Sequence, residues 1–270
     1  MRAPMFGAVL ALLILPSADG AVAQKRGARE ISSELRSELG SISSYAGQAA
    51  TFQARLGQHN DLDYPNLTKL EDAERWVKVS VFCLEKFRSA YAAGAVAEHE
   101  IHFGTRDLAG DDGPLKSPLS VAQAERFCAA SRALAEAHVR DVKAITDGDA
   151  ARAGEIPGLG AEALAQLAGR FASAAAQGLS RLGVNDHDRP DMNRIDDTEH
   201  WRNSSGLCLL HAERAAAAGF DATRAVPFKT YGARLNEIPV SGSLNLMSLR
   251  EFCQASMDAA MAQARKLRRR

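Results

Sequence analysis

Residues 60–94 decide the fold, and they read NDLDYPNLTKLEDAERWVKVSVFCLEKFRSAYAAG. A shift of 125 positions brings them onto residues 185–219, which read NDHDRPDMNRIDDTEHWRNSSGLCLLHAERAAAAG. Fourteen of the thirty-five aligned positions are identical. The tryptophans and cysteines that this shift pairs along the chain are Trp76 with Trp201, Cys83 with Cys208, and Cys128 with Cys253. A repeat of this length indicates a duplicated domain rather than solenoid units of about 20 to 50 residues.

The four cysteines follow the repeat. Each copy contains one pair, so the pairing that survives duplication is Cys83 with Cys128 and Cys208 with Cys253. Four buried free thiols are the alternative. A catalytic thiolate is disfavoured, because each cysteine lies in an apolar stripe without an adjacent histidine or cationic cluster.

Apolar residues at intervals of three and four predict three helices in each copy. In the first copy they run from Ile31 to Leu56, from about Asn66 to Gly94, and onward from near Pro118. Thr68 and Glu71 resemble a capping box for the second helix. The expected fold class is all-α, a tandem duplication of a three-helix bundle module, each with one disulfide. Leu182 belongs to the predicted first stripe of the second copy.

A long segment separates the second and third predicted helices, at residues 95–117 and again at 220–242. Bundle connections usually take about two to eight residues, so this segment is either a functional surface loop or a fourth structured element. Residues 100–103 and 225–228 are candidates for short extended pieces. The binding residues predicted on these loops are His99, His102, Phe103, Phe228 and Tyr231.

The chain begins with a basic residue, an apolar run and a small-residue stretch, the order of a secretory signal peptide. We therefore expect a signal peptide at residues 1–23, cleaved near Ala23, and a periplasmic or secreted mature chain. A glycine- and proline-containing linker is predicted at 147–160. It divides a first helical module, 24–146, from a second, 161–270.

Formal net charge is zero, which predicts no general attraction to nucleic acid. The basic end, residues 265–270, is interpreted as a solvated helix terminus, with weak contact to anionic surfaces as the alternative. No further run is long and apolar enough to predict a transmembrane segment.

Two patterns are weak candidates for metal binding, and no cofactor is predicted. The first is a pair of acidic turns, with the carboxylates Asp61, Asp63, Asp186 and Asp188. Turn formation before a helix explains these residues without an ion, since the full calcium-loop spacing is missing. The second is His99 with His102, which lacks the HExxH spacing and is not repeated in the second copy.

Trp76 and Trp201 are predicted to lie in the core, with ligand stacking as the minor alternative. Asn66 and Asn203 begin N-glycosylation motifs, which have meaning only in a eukaryotic secretory pathway. Nucleophile-elbow, phosphate-loop, dinucleotide and haem-attachment motifs are missing from the sequence.

The preferred functional hypothesis is a binding or protein-interaction module of the periplasm or extracellular space, with an unidentified protein or small ligand as its partner. The rival is a cell-envelope enzyme, a metal- or carboxylate-dependent hydrolase with its site between the two modules. No catalytic residue is predicted from the sequence.

Overall fold

A computed structural model describes seven segments of the chain, and the structural statements below concern these. They are residues 31–57, 65–103, 118–149, 153–156, 158–184, 190–230 and 240–270. The predicted signal peptide lies outside them, as do the acidic turn residues Asp61, Asp63, Asp186 and Asp188, and Tyr231.

The described chain is mostly helical, with three helices in each half of the sequence. In the first half they are α1 (Ser33–Arg55), α2 (Leu70–Ala92) and α3 (Val121–Asp147). In the second half they are α4 (Ala161–Ser180), α5 (Ile195–Ala217) and α6 (Leu246–Arg268). The bounds of α2 and α5 differ by the 125 positions of the sequence repeat. No described helix is long and apolar enough to cross a bilayer.

The expectation of an all-α fold is wrong in one respect, because each half also contains a short antiparallel ribbon. Strands β1 (Glu100–Ile101) and β2 (Leu119–Ser120) form the first, and β3 (Ala225–Thr230) and β4 (Val240–Asn245) form the second. Glu100 pairs with Ser120, and 125 positions later Ala225 pairs with Asn245. The predicted extended pieces are therefore confirmed as strands.

The last residue of each ribbon also starts the next helix. The Ser120 hydroxyl accepts a hydrogen bond from the Gln123 backbone N–H at 3.2 Å. In the second ribbon the Asn245 side-chain oxygen accepts one from the Ser248 N–H at 2.8 Å. These side chains satisfy backbone donors that a helix leaves free at its beginning, which fixes where α3 and α6 start.

The turn before α2 differs from the predicted capping box. The Asn66 side-chain oxygen accepts hydrogen bonds from the N–H and hydroxyl of Thr68, and the Asp72 carboxylate accepts one from the Asn66 N–H. Before α5, Asp191 accepts from the Asn193 N–H and Asp197 from the Asp191 N–H. Helix α2 begins at Leu70 because Thr68 belongs to the hydrogen-bonded turn that precedes it.

The chain divides into two compact units whose limits do not follow the predicted linker. Unit 1 comprises Met1–Gln53 and Trp76–Ala133, and unit 2 comprises Ala54–Arg75 and Leu134–Arg270. Both α2 and α3 therefore contribute residues to each unit. The division into modules at 147–160 stays a prediction from the sequence repeat.

Buried aromatic and aliphatic side chains form the core of each unit. The largest in unit 1 are Trp76, Phe87, Ile42 and Ile101; in unit 2 they are Trp201, Phe171, Leu67, Leu167, Met192, Leu207, Leu246 and Leu249. Two residues of the predicted stripes are instead exposed, Ile31 at 37% and Leu182 at 40%. Ile31 precedes α1 and Leu182 follows α4, so neither is held on a helix face.

Candidate functional site

The cysteines and tryptophans build the core of each unit. Disulfides join Cys83 to Cys128 and Cys208 to Cys253, as predicted, and all four cysteines are fully buried. Trp76 and Trp201 are also buried, which confirms their assignment to the core. These shared residues hold helices together and present no surface.

The predicted binding residues on the ribbons are only partly available to a ligand. Phe103 packs on Phe127 with 5.5 Å between ring centroids, and Phe228 packs on Phe252 at 5.8 Å. Each phenylalanine is half-buried and anchors its ribbon to the following helix.

The two candidate metal-ligating histidines have separate surroundings. His99 Nδ1 accepts a hydrogen bond from the Val96 backbone N–H at 3.1 Å. The His102 side chain is 73% exposed, with Nε2 3.7 Å from a carboxylate oxygen of Glu100. Within the described segments no group of three or more histidine, cysteine, aspartate or glutamate side chains is arranged to hold a metal ion.

Both glycosylation-motif asparagines are buried, each 7% exposed. Asn66 holds Thr68, and the Asn203 side-chain amide donates to the Thr68 carbonyl oxygen at 3.1 Å. An enzyme that adds a glycan needs the amide in solvent, so the folded chain withholds both motifs.

Unit 2 contains a buried polar cluster that was not predicted from the sequence. Its members are His138, Asp141, His211 and Arg214, and the ring of Phe171 stacks with both imidazoles. Arg214 donates two hydrogen bonds of 2.6 Å to the two carboxylate oxygens of Asp141, whose side chain is 1% exposed. A second bond from Arg214 Nη2 reaches the Gly154 carbonyl. This bidentate pair ties α3 to α5 and to the predicted linker.

Both imidazoles of this cluster stack with the ring of Phe171. Their ring centroids are 6.2 Å (His138) and 5.4 Å (His211) from that of Phe171. His138 Nε2 lies 2.7 Å from the Leu67 carbonyl oxygen. A carbonyl only accepts, so Nε2 carries the proton. Gln263 donates to the Met192 carbonyl at 2.6 Å from the position 125 residues later, which marks the role of His138 as structural.

Burial disfavours the charged form of both histidines. It lowers the pKa of His138, and it holds the pKa of His211 well below its usual value of 6.5 together with the charges of Arg214 and His138. The Nε2 atom of His211 is buried without a hydrogen-bond partner in the described structure. Arg214 Nη1 lies 3.5 Å from His211 Nδ1, so a charged His211 would place a second positive charge beside Arg214.

An open groove of about 500 Å³ lies along α5 and α6 in unit 2. We call it the α5/α6 groove and define it by its lining residues, which are Leu209, Glu213, Met247, Arg250, Glu251, Gln254, Ala255 and Asp258. Met247 is 57% exposed, the highest exposure among the large apolar residues described. The spacing of these residues along α6 places them on one exposed stripe.

The charges of the α5/α6 groove are three carboxylates and one guanidinium. Arg250 Nη2 lies 3.5 Å from Glu213 Oε1, with side chains 46% and 48% exposed. Glu251 and Asp258 are exposed, so the groove is acidic in balance. Apolar side chains beside an excess of carboxylates favour a partner segment that carries apolar and basic side chains.

Comparison with known proteins returns no match, whether the chain is set against family models, curated proteins or solved structures.

Proposed function

We propose that this chain is an exported, disulfide-braced helical protein with two related modules, whose α5/α6 groove docks a basic and apolar segment of a protein partner. The observation that carries the docking proposal is the groove itself. It combines the exposed thioether of Met247 with three rim carboxylates in a cleft of about 500 Å³.

The side chains of the groove suit docking of a protein segment. Methionine is flexible and polarisable, so it adapts to irregular apolar partners. The aliphatic neighbours Leu209 and Ala255 extend the apolar contact. Exposed carboxylates at the rim contribute mainly to the association rate and to the choice of partner.

Export and duplication are proposed on other features. Two disulfides suit an oxidising compartment, which the predicted signal peptide at residues 1–23 also implies. Duplication is supported by the displacement of 125 residues between the bounds of α2 and α5, the starts of α3 and α6, the ribbon registers, the disulfides and the tryptophan hydrogen bonds.

The docking proposal is tested with a photoreactive residue, p-benzoylphenylalanine, in place of Met247 in the full chain, made in cells that naturally export it. We expect a cross-linked protein species after irradiation that is lost when Glu213, Glu251 and Asp258 are changed to lysine. The matched control carries the same photoreactive residue at Leu179, which is 39% exposed, apolar and outside the groove. Equal cross-linking from both positions, or none from position 247, would refute the proposal.

A further inference from the structure

The counterpart of the α5/α6 groove in unit 1 lies on α2 and α3, at positions 125 residues earlier. We call it the α2/α3 face and define it by these counterparts and by Tyr91, whose hydroxyl donates to Glu125. The counterparts are Leu84, Arg88, Ala122, Glu125, Arg126, Ala129, Ala130 and Ala133. Leu84 and Leu209 are identical in the two surfaces and both half-buried. The framework is therefore the same, and comparison of the remaining positions shows what each surface presents.

Every position that is charged in both surfaces has opposite sign. Arg88 corresponds to Glu213, Glu125 to Arg250, and Arg126 to Glu251. Arg88 and Arg126 are exposed, and Glu125 accepts a hydrogen bond of 2.8 Å from the Tyr91 hydroxyl. The α2/α3 face thus has two arginines and one glutamate, whereas the α5/α6 groove has three carboxylates and one arginine.

Side-chain size changes in a related way. Met247 and Gln254 of the groove correspond to Ala122 and Ala129 of the face. At these two positions the groove has a large side chain and the face has a small one. In the other direction, Tyr91, which is 40% exposed, corresponds to Ala216 on α5. The two surfaces therefore carry their large side chains at different positions of the same helix pair.

We infer that the partner of the α5/α6 groove is a second copy of this chain, docked through its α2/α3 face. This inference rests on the proposed docking function of the groove and names its partner. The α2/α3 face is basic in balance and the α5/α6 groove is acidic in balance, so the two attract each other, whereas two like surfaces would bring an excess of the same charge together. Tyr91 of one copy then contributes apolar contact area to the groove of the next.

Each chain carries one face and one groove, so the contact is heterologous. Copies joined in this way form a closed ring if the rotation between neighbours closes, and a filament if it does not. In both cases association depends on protein concentration and weakens with salt, because exposed charges carry the recognition.

The association is tested by sedimentation velocity on the full mature chain with both disulfides intact. We expect a mass that rises with concentration at low ionic strength and returns to that of the monomer at about 1 M salt, where the Debye length is about 3 Å. A monomer at every concentration at low ionic strength would overturn the inference.

Two charge-reversed proteins sharpen the test. One carries Glu213→Arg, Arg250→Glu, Glu251→Arg and Asp258→Ala, and the other carries Arg88→Glu, Glu125→Arg and Arg126→Glu. Alone, each presents like charges on both surfaces, and we expect its association to weaken by about tenfold or more. In an equimolar mixture every contact is again between opposite charges, so the mixture associates as the unaltered chain does.

The mixture also guards against misfolding, since two misfolded proteins would not restore assembly with each other. If the mixture stays monomeric while each protein keeps the helical circular dichroism of the unaltered chain, the inference is wrong. The mass of the species cross-linked from position 247 separates the two proposals. Twice the chain mass supports self-association, a different protein supports docking alone, and no cross-link removes both.

Discussion

Trp76 in unit 1 and Trp201 in unit 2 make the same hydrogen bonds but meet different neighbours. Each indole N–H donates to a serine on the third helix of its half, Ser131 or Ser256, at 2.9 Å. On the other side, the ring of Phe52 stacks on Trp76 with 6.4 Å between centroids and 5° between planes. In unit 2, Gly178 on α4 faces Trp201 instead.

The polar contacts of the two tryptophans are the same, whereas the apolar groups that pack against them differ in size. A Cβ on Gly178 would overlap Cγ and Cδ1 of Trp201, so the backbone of α4 occupies the place that a side chain fills in unit 1. A hydrogen bond requires fixed geometry, whereas apolar packing requires only that volume be filled. The same indole–serine hydrogen bond is therefore compatible with two different ways of packing the first helix of each half against the tryptophan.

The largest effect on stability is expected from Phe52→Ala, which removes the ring that stacks on Trp76. Phe52 is 5% exposed, and loss of its ring leaves a cavity against Trp76. We expect the free energy of unfolding of unit 1 to fall by about 3–5 kcal/mol. Hydrogen exchange of α2 peptides measures it, with Phe82→Ala, at a 47% exposed site, as the mild control. Equal losses in the two variants would contradict the packing argument.

Asp141→Asn is expected to have the next largest effect. Asp141 forms a buried ion pair with Arg214 in unit 2, and the residues 125 positions away, Lys266 and Ser89, are not an ion pair of this kind. Arg214, 14% exposed, would lose its charged partner, and breaking such a pair costs about 3–5 kcal/mol at the fully buried limit. Chemical denaturation followed at α5 by hydrogen exchange checks this. The control Glu213→Gln, in an exposed pair, is expected to change stability by about 1 kcal/mol or less.

Gly178→Ala has a smaller expected effect and tests directly whether a glycine is needed beside Trp201. The added methyl group collides with Trp201, and overpacking of this kind costs about 1–3 kcal/mol. Thermal unfolding measures the change. Gly40→Ala is the matched control, since Gly40 lies in α1 with no atom near the added carbon, and alanine there should stabilise the helix by about 0.5–1 kcal/mol. Stabilisation by both variants would show that α4 has room to move.

His138→Gln is expected to change stability least at neutral pH, because Gln263 makes the equivalent hydrogen bond in the other half. Its effect appears in acid. The pKa of His138 is lowered by burial, so below the usual value of 6.5 the unfolded chain binds a proton that the folded unit excludes. Stability of unit 2 is therefore fully present above pH 6.5 and decreases as the pH falls towards the lowered value.

Denaturation at a series of pH values tests this. Compared with the unaltered chain, the glutamine variant should lose part of its acid sensitivity, with the remainder due to His211, whose pKa is lowered further. An unchanged pH profile would place the titration elsewhere.

Sequence alone predicted the features that the repeat determines. The register of 125 residues identified the disulfide pairs and the core tryptophans, because these residues recur as sets with fixed spacing. It also located the extended pieces, although not their pairing into ribbons. The groove was missed because most of its residues do not recur, and a search for identity at a displacement of 125 residues passes over positions where the charge is reversed.

The buried cluster of unit 2 was missed for a different reason. Asp141 and Arg214 are 73 positions apart and belong to no local motif. The signal that was available is His138 aligned with Gln263, a polar side chain at the same place in two apolar stripes. The limits of the units were also beyond local patterns, since they depend on the Leu67 and Thr68 carbonyls meeting His138 and Asn203.

Helices α2 and α3 each contribute residues to both compact units, so a cut at the predicted linker divides the residues of unit 2 between two fragments. A cut at the predicted linker would leave residues 54–75 and 134–147 in the first fragment, without the α4 and α5 side chains that contact them within unit 2. Neither fragment would keep a complete second core. Produced separately, the two halves should behave as a fragment-complementation pair, each unstable alone and folded when mixed.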